Sequence, residues 1–198
     1  MINKLKQALF PAVTFYRDSK VWLKKPSYSS KVFCIGYNKT GTTSVGMSLA
    51  MLGYDNCSFN KKVWRNYYKS NRIVKILRYT ARFDSFDDLP WLKEEMIPIL
   101  DIAFPNSKFI YLTRDEESWK KSLHSWKFKV TNTYPDIEKS FQDFKSHEKF
   151  VLEYFKNRPA QDFISLDVKD KQGFKKLADF LGKTAPSDAF PHFNKTKK

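Results

Sequence analysis

The chain has 198 residues, 41% of them hydrophobic and 17% aromatic, and a net charge of +15. That length and apolar content suit one folded domain with a full core and exclude a disordered chain. The charge favours anionic partners without choosing among nucleic acid, membrane, acidic glycan and polyanionic nucleotide.

Two cysteines, Cys34 and Cys57, are too few for a disulfide framework, and with Cys34 in an apolar run they point to a reducing, cytoplasmic setting. No stretch reaches the ~18 apolar residues of a membrane span. The start, MINKLKQALFPAVTFYRDSKVW, is interrupted by Pro11 and Arg17 and carries no cleavage-site pattern. It reads as a helix covering the domain, with peripheral contact to a membrane as the alternative. PSYSS (26–30) is a turn-like linker, so residues 1–30 form an N-terminal extension packing on a single domain, 31–198.

KVFCIG is a short buried strand, and TSVGMSLAMLGY after it places Val45, Leu49 and Leu52 at helical spacing before Gly53 stops the helix. Residues 60–80 are basic, aromatic and helical; ARFDSFDDLP is strand-like and then turns. WLKEEMIPILDIAF is a helix that Pro98 interrupts or kinks. KFIYLT is the clearest strand, an almost unbroken apolar run as in a parallel sheet. EESWKKSLHSW is helical, 136–157 is a long amphipathic helix, DFISL a last strand, and KQGFKKLADFLG a closing helix before an irregular tail. Strands alternating with helices predict an α/β fold: three layers, α/β/α, around a central parallel sheet, like that of P-loop NTPases.

Between the first strand and helix lies CIGYNKTGTT. A nucleotide-hydrolysing P-loop reads G-x-x-x-x-G-K-[ST], yet here Thr42 takes the lysine position and the loop's lysine, Lys39, lies inside it. Backbone amides from Asn38 through Lys39, Thr40, Gly41 and Thr42 to Thr43, with the positive end of the following helix, form an anion cradle. FIYLTRD ends in Asp115 where a kinase wants a Mg²⁺ ligand, but Arg114 precedes it, and an arginine there suits phosphate better than metal.

G-x-x-K-T-G-T-T resembles the 5′-phosphosulfate loop of sulfotransferases that use 3′-phosphoadenylyl sulfate (PAPS). Their second signature, a strand ending in R-D with a serine eight residues past the arginine, resembles FPNSKFIYLTRDEESWKKS, with Arg114 and Ser122 in those places. FDSFDDLP resembles the D-x-x-x-D-x-P segment of one branch, and GFKKLADFLG…FPHFN its ending, so the resemblance spans roughly residues 31 to 194. It implies transfer of a sulfuryl group from PAPS to a hydroxyl or amine, release of 3′-phosphoadenosine 5′-phosphate (PAP), and Arg114 and Ser122 on the 3′-phosphate. The acceptor is a glycan, lipid or small metabolite, anionic if the surface charge guides it. The K-T-H histidine base and the tryptophan just past the loop of many cytosolic relatives have no counterpart here, and their R-K-G segment is absent unless Lys195 or Lys197 substitutes for it.

In such a transfer Lys39 neutralises charge growing on the leaving 5′-phosphate, and no metal is required. The base is one of Asp84, Asp87 and Asp88; the resemblance puts Asp84 and Asp88 at the family's acidic positions, and Asp84 lies farther from the turn where Asp87 or Asp88 would cap a helix starting near Pro90. His124 reads as surface or packing, His147 as part of a solvated charged face, and His192 as a contact of the family-like ending. Trp119 and Trp126, seven apart, have core spacing. Lys61, Lys62, Arg65, Lys69 and Arg72 either guide an acidic acceptor or form a solvated basic face. Two other readings compete: a P-loop kinase or hydrolase, which Thr42 disfavours, and a non-catalytic basic module binding nucleic acid or membrane, which leaves the loop unexplained.

Overall fold

The computed structural model describes residues 20–191. Five parallel strands form one sheet: β1 (Val32–Cys34), β2 (Asn56–Cys57), β3 (Ser85–Phe86), β4 (Lys108–Thr113) and β5 (Phe163–Asp167), in spatial order β2-β3-β1-β4-β5. The central strand β1 pairs with β3 through Val32↔Ser85 and with β4 through Val32↔Lys108. The helices are α1 (Thr42–Met51), α2 (Ile73–Thr80), α3 (Met96–Ala103), α4 (Glu116–Thr131), α5 (Ile137–Phe155) and α6 (Gly173–Phe180), with a π-helical turn at Val63–Tyr68.

Alternation along the strands decides which helix lies where, since successive side chains leave opposite faces. Val32, Cys34, Ile110 and Leu112 pack with Val45, Leu49, Phe174 and Leu177, so α1 and α6 cover one face. Phe33, Ile35, Phe109 and Tyr111 pack with Ile76, Leu100, Val151 and Phe155, so α2, α3 and α5 cover the other. The three-layer parallel α/β fold read from the sequence is the fold observed. Among the described residues, no helix is long and apolar enough to cross a membrane.

Several elements differ in detail. Pro98 does not kink a helix: α3 starts at Met96, so the proline falls in the first turn, where a missing N–H costs nothing. Residues 60–80 are not one helix but the π-helical turn and α2, separated at Asn71, which has φ 51°. Of the N-terminal extension, residues 1–19 lie outside the described region. The part that is described packs against the domain: Val21 is buried, the Ser27 amide donates to the Ala81 carbonyl at 2.7 Å, and Tyr28 stacks on Phe104.

Candidate active site at the carboxyl edge of the sheet

The chain leaves β1 through α1 towards β2 on one side, and leaves β4 through α4 and α5 towards β5 on the other. Adjacent strands with opposite connections open a crevice beyond their carboxyl ends, where ligands of such sheets bind. Both motifs end there: residues 35–41 run from β1 into α1, and Arg114 follows β4.

The loop is held through its carbonyls. His147 donates to Ile35 O at 2.8 Å, the Thr40 hydroxyl to Tyr37 O at 2.7 Å, Trp119 Nε1 to Asn38 O at 2.8 Å, and Arg114 Nη1 to Lys39 O at 2.6 Å. In a planar trans peptide the next N–H points opposite the carbonyl, so tying down these oxygens turns the intervening amides the other way, except that of Thr40, which donates to Tyr37 O at 3.2 Å. Gly41, with φ 111°, makes the final bend; a Cβ there would lie 2.7 Å from Val168. It caps α1 without a side-chain hydrogen bond, and the helix has no acidic residue in its first turn, leaving the helix's positive end uncompensated.

Two cations stand beside that end, both towards α4. Lys39, in the left-handed region at φ 71°, is half-buried; burial and neighbouring Arg114 depress its pKa, and Asp88 opposes them. Its Nζ sits 5.0 Å from the centre of the Trp126 ring. Arg114 Nε donates to Ser118 Oγ at 2.8 Å, and burial lowers the guanidinium's pKa. Asp115 caps α4 by accepting from the Ser118 amide at 2.9 Å, and it pairs with Lys169 at 2.6 Å.

Ser122 is half-buried, and Arg114 bonds Ser118, one helical turn nearer, not Ser122. Residues 118, 122 and 126 share one face of α4. Since Ser118 touches Arg114 and Trp126 faces Lys39, Ser122 lies on the stripe between them, towards the loop.

The three aspartates separate by strand polarity. Asp84 precedes β3: its carbonyl accepts from the Val32 amide at 3.0 Å and its carboxylate from the Asp55 amide at 3.0 Å. It is therefore at the amino edge of the sheet, about five strand residues, roughly 16 Å, from the start of the loop. There it lines a recess of about 300 Å³ with Lys31, Lys108 and Lys183. The structure thus does not bring Asp84 to the loop. Asp87 and Asp88, just past β3, are on the loop's edge. Asp87 is 2% exposed beneath α1, where it accepts from Asn56 Nδ2 at 3.0 Å and Ser58 Oγ at 3.3 Å; burial pushes its pKa up to about 7. A Cβ on Gly46 of α1 would lie 2.4 Å from its carboxylate, so only glycine permits this approach. Asp88 is partly exposed and interacts with Lys39; burial raises its pKa, against the Leu89 amide, which donates at 2.6 Å, and Lys39. Neither caps a helix, because α3 begins eight residues beyond Asp88.

Two other expectations are overturned. His147 is not on a solvated face: it is 1% exposed, and its donation to Ile35 O places the proton on Nε2. Trp119 is fully buried as its spacing predicts, but Trp126 is 45% exposed, on the later turns of α4 where no side chain is buried. His124 stacks on Tyr134 at the surface. His192 lies outside the described residues. Ser118, Trp119, Trp126 and His147 are the contacts around the loop that the sequence reading missed.

A model of the sulfotransferase domain family matches residues 31–144 and 126–198. No curated protein matches the chain. Among solved structures, a sulfotransferase domain from the curacin biosynthetic pathway is 17% identical, with a TM-score of 0.52 over 78% of this chain and 74% of that one. A gluconokinase from Sinorhizobium meliloti 1021 is 15% identical, with a TM-score of 0.48 over 79% of this chain and 97% of that one. At such identity the curacin-pathway domain shows the fold alone, and that fold is P-loop-like.

Proposed function

The chain belongs to the sulfotransferase domain family, and we propose that it moves a sulfuryl group from PAPS to a hydroxyl or amine acceptor. One observation supports this most: beside the uncapped start of α1 stand two cations, Lys39 and Arg114, neither of which is in an ion pair among the described residues. That donor set suits two anionic groups: amides, a helix end and Lys39 for one, and Arg114 for a second, with no charge at the position a P-loop lysine would fill. When bound, PAPS supplies an activated sulfuryl group with a stable phosphate as leaving group.

Amides of residues 38, 39 and 41–43 and the hydroxyls of Thr42 and Thr43 hold the 5′-phosphosulfate in this reading, while the Thr40 amide donates to the Tyr37 carbonyl instead, and Lys39 balances charge that grows there. Arg114 and Ser122, on the α4 side, take the 3′-phosphate. The base is Asp88, not Asp84: it alone of the three combines partial exposure, a raised pKa and proximity to Lys39. Asp87 is sealed under α1 and serves to fix the end of β3. No step requires a metal.

Calorimetric titration with PAP, ADP and ATP, each with EDTA or Mg²⁺, tests this. The expected outcome is metal-independent PAP binding with ADP at least about tenfold weaker. Preference for ATP with Mg²⁺ would make the chain a phosphotransferase and overturn the proposal.

A further inference from the structure

Between Asp55 and Asp84 there is no acidic residue, while eight lysines and arginines fall in that stretch. These 28 residues therefore carry +8 of the chain's net charge of +15. Seven of the eight, from Lys61 to Arg78, are exposed, and none forms an ion pair among the described residues. Elsewhere the cations are interspersed with acidic residues and some pair with them: Lys120 bridges Glu116 and Glu138, Lys169 meets Asp115, Lys175 Asp179 and Lys176 Asp170. An unneutralised cluster of this density costs self-repulsion, which an anionic partner relieves.

The fold holds the cluster in place. Asn60, 3% exposed, accepts the Lys62 and Val63 amides at 2.9 and 3.0 Å and so starts the π-helical turn. The turn is closed by five-residue bonds, Lys69 N to Trp64 O at 3.0 Å and Arg72 N to Tyr67 O at 2.7 Å. Lys61, Arg65 and Lys69, four residues apart, line one side of it, and Lys75 and Arg78 continue the charge along α2. Trp64 and Tyr68 stack at 4.6 Å, with Lys69 over Trp64, a half-buried aromatic pair amid the cations.

The cluster begins beside the transfer site. Ser58, at the carboxyl end of β2, donates to Asp87, the neighbour of Asp88. Lys61 is three residues on, at most about 10 Å along the chain.

We propose that this face binds an acidic polysaccharide, and that such a polymer is the acceptor; the inference rests on the sulfotransferase reading for the second clause alone. A polysaccharide bears carboxylates or sulfates for the cations and the hydroxyl that the transfer consumes. A bilayer fits less well, because in the whole stretch only two large apolar side chains are exposed, Phe59 at 44% and Val74 at 62%, one before the turn and one on α2. Nucleic acid meets the charge but leaves the adjoining transfer site without a role.

The test uses the full chain with a heparin oligosaccharide, a hyaluronan oligosaccharide, neutral dextran, phosphatidylserine vesicles and a single-stranded DNA, at about 0.15 M salt. Lys61→Glu/Arg65→Glu/Lys69→Glu is compared with Lys25→Glu/Lys149→Glu/Lys171→Glu, three exposed lysines elsewhere; each triple takes the net charge from +15 to +9. The acidic oligosaccharides should bind, dextran should not, and the first triple should lose roughly tenfold or more in affinity while the control loses under about twofold. Equal losses in both triples, or tighter binding of vesicles or DNA than of either acidic oligosaccharide, would overturn the proposal. PAP titration of the same samples separates the two readings: with the first triple still binding PAP, lost oligosaccharide binding is a surface effect. Absent PAP binding in the wild type strikes at the donor assignment and leaves the surface result intact.

Discussion

Asp87→Asn should stabilise this protein, and more at alkaline pH than in acid. The folded state holds the Asp87 carboxyl at about 7, against its ordinary 3.8. Burial under α1 is the chief cause, offset by the bonds from Asn56 and Ser58. Between those pH values the folded chain keeps a proton that the unfolded chain has lost, so stability falls as pH rises from about 4 to about 7 and then levels off. A shift of about three units corresponds to about 4 kcal/mol in full. Part of that is already lost at pH 5, so about 2–3 kcal/mol is lost between pH 5 and pH 8. Asparagine keeps the shape, accepts from Asn56 and donates to the Ser58 hydroxyl, but cannot ionise. Ser85 Oγ, donating to Asn56 Oδ1 at 2.7 Å, keeps Asn56 oriented for this. Urea unfolding of both proteins at the two pH values measures the effect, since other titrating groups largely cancel in the comparison. The variant's advantage should grow by about 2–3 kcal/mol from pH 5 to pH 8; a difference that does not change with pH would refute the reasoning.

Lys39→Ala should cut turnover by roughly 10²–10³-fold, the scale for removing one preorganised charge partner. Thermal unfolding should barely move, since the side chain's ring contact with Trp126 contributes about 0.5–1 kcal/mol at most. Arg114→Ala should weaken PAP by roughly tenfold or more and erase its advantage over ADP, and Arg114→Lys should not restore it, because the guanidinium reaches Ser118 and the Lys39 carbonyl from separate nitrogens, Nε and Nη1, a spread that a single ammonium nitrogen lacks. Calorimetry with both ligands reads this directly. Asp88→Asn should leave PAP affinity unchanged while reducing kcat by roughly 10²-fold or more. In wild type the acid limb of the rate profile should lie above the ordinary aspartate range, because burial raises the pKa of Asp88; an unaltered profile in the variant would remove Asp88 from the role.

The loop and Arg114 were legible because their chemistry is local: glycine at a left-handed bend, a lysine inside it, an arginine ending an apolar run. Which aspartate lies beside the loop was not. β3 is only two residues long, so Asp84 and Asp88 fall at opposite edges of the sheet though four residues apart. Spacing alone does not say where so short a strand begins. β2, also two residues, left no periodic trace, and the π-helical turn reads locally as ordinary helix. His147 was legible but overlooked: Phe144, His147, Val151 and Phe155 form the buried stripe of α5, and a histidine within such a stripe is itself buried. Trp126 misled because helical spacing reports a shared face, not how far along the helix that face stays buried.

Strand order explains how three distant segments make one site. β3, β1 and β4 are neighbours in space, and their carboxyl ends deliver Asp88, the anion cradle and Arg114 side by side. The cradle is not an independent loop, because Trp119 and Arg114 hold two of its carbonyls from the α4 side. Thr42 therefore does not leave a P-loop defective. In the proposed reading Lys39, within the bend, supplies the charge that a lysine at that position would, and Arg114, held against the same loop through the Lys39 carbonyl, takes the 3′-phosphate. Both cations lean towards α4, Lys39 near Trp126 and Arg114 on Ser118. The nucleotide would then lie towards β4 and β5, which leaves the β3 and β2 side, with Asp88, for the acceptor. The basic face from Lys61 onward begins on that same side, so a polyanion lying along it would reach Asp88 without crossing the nucleotide's place.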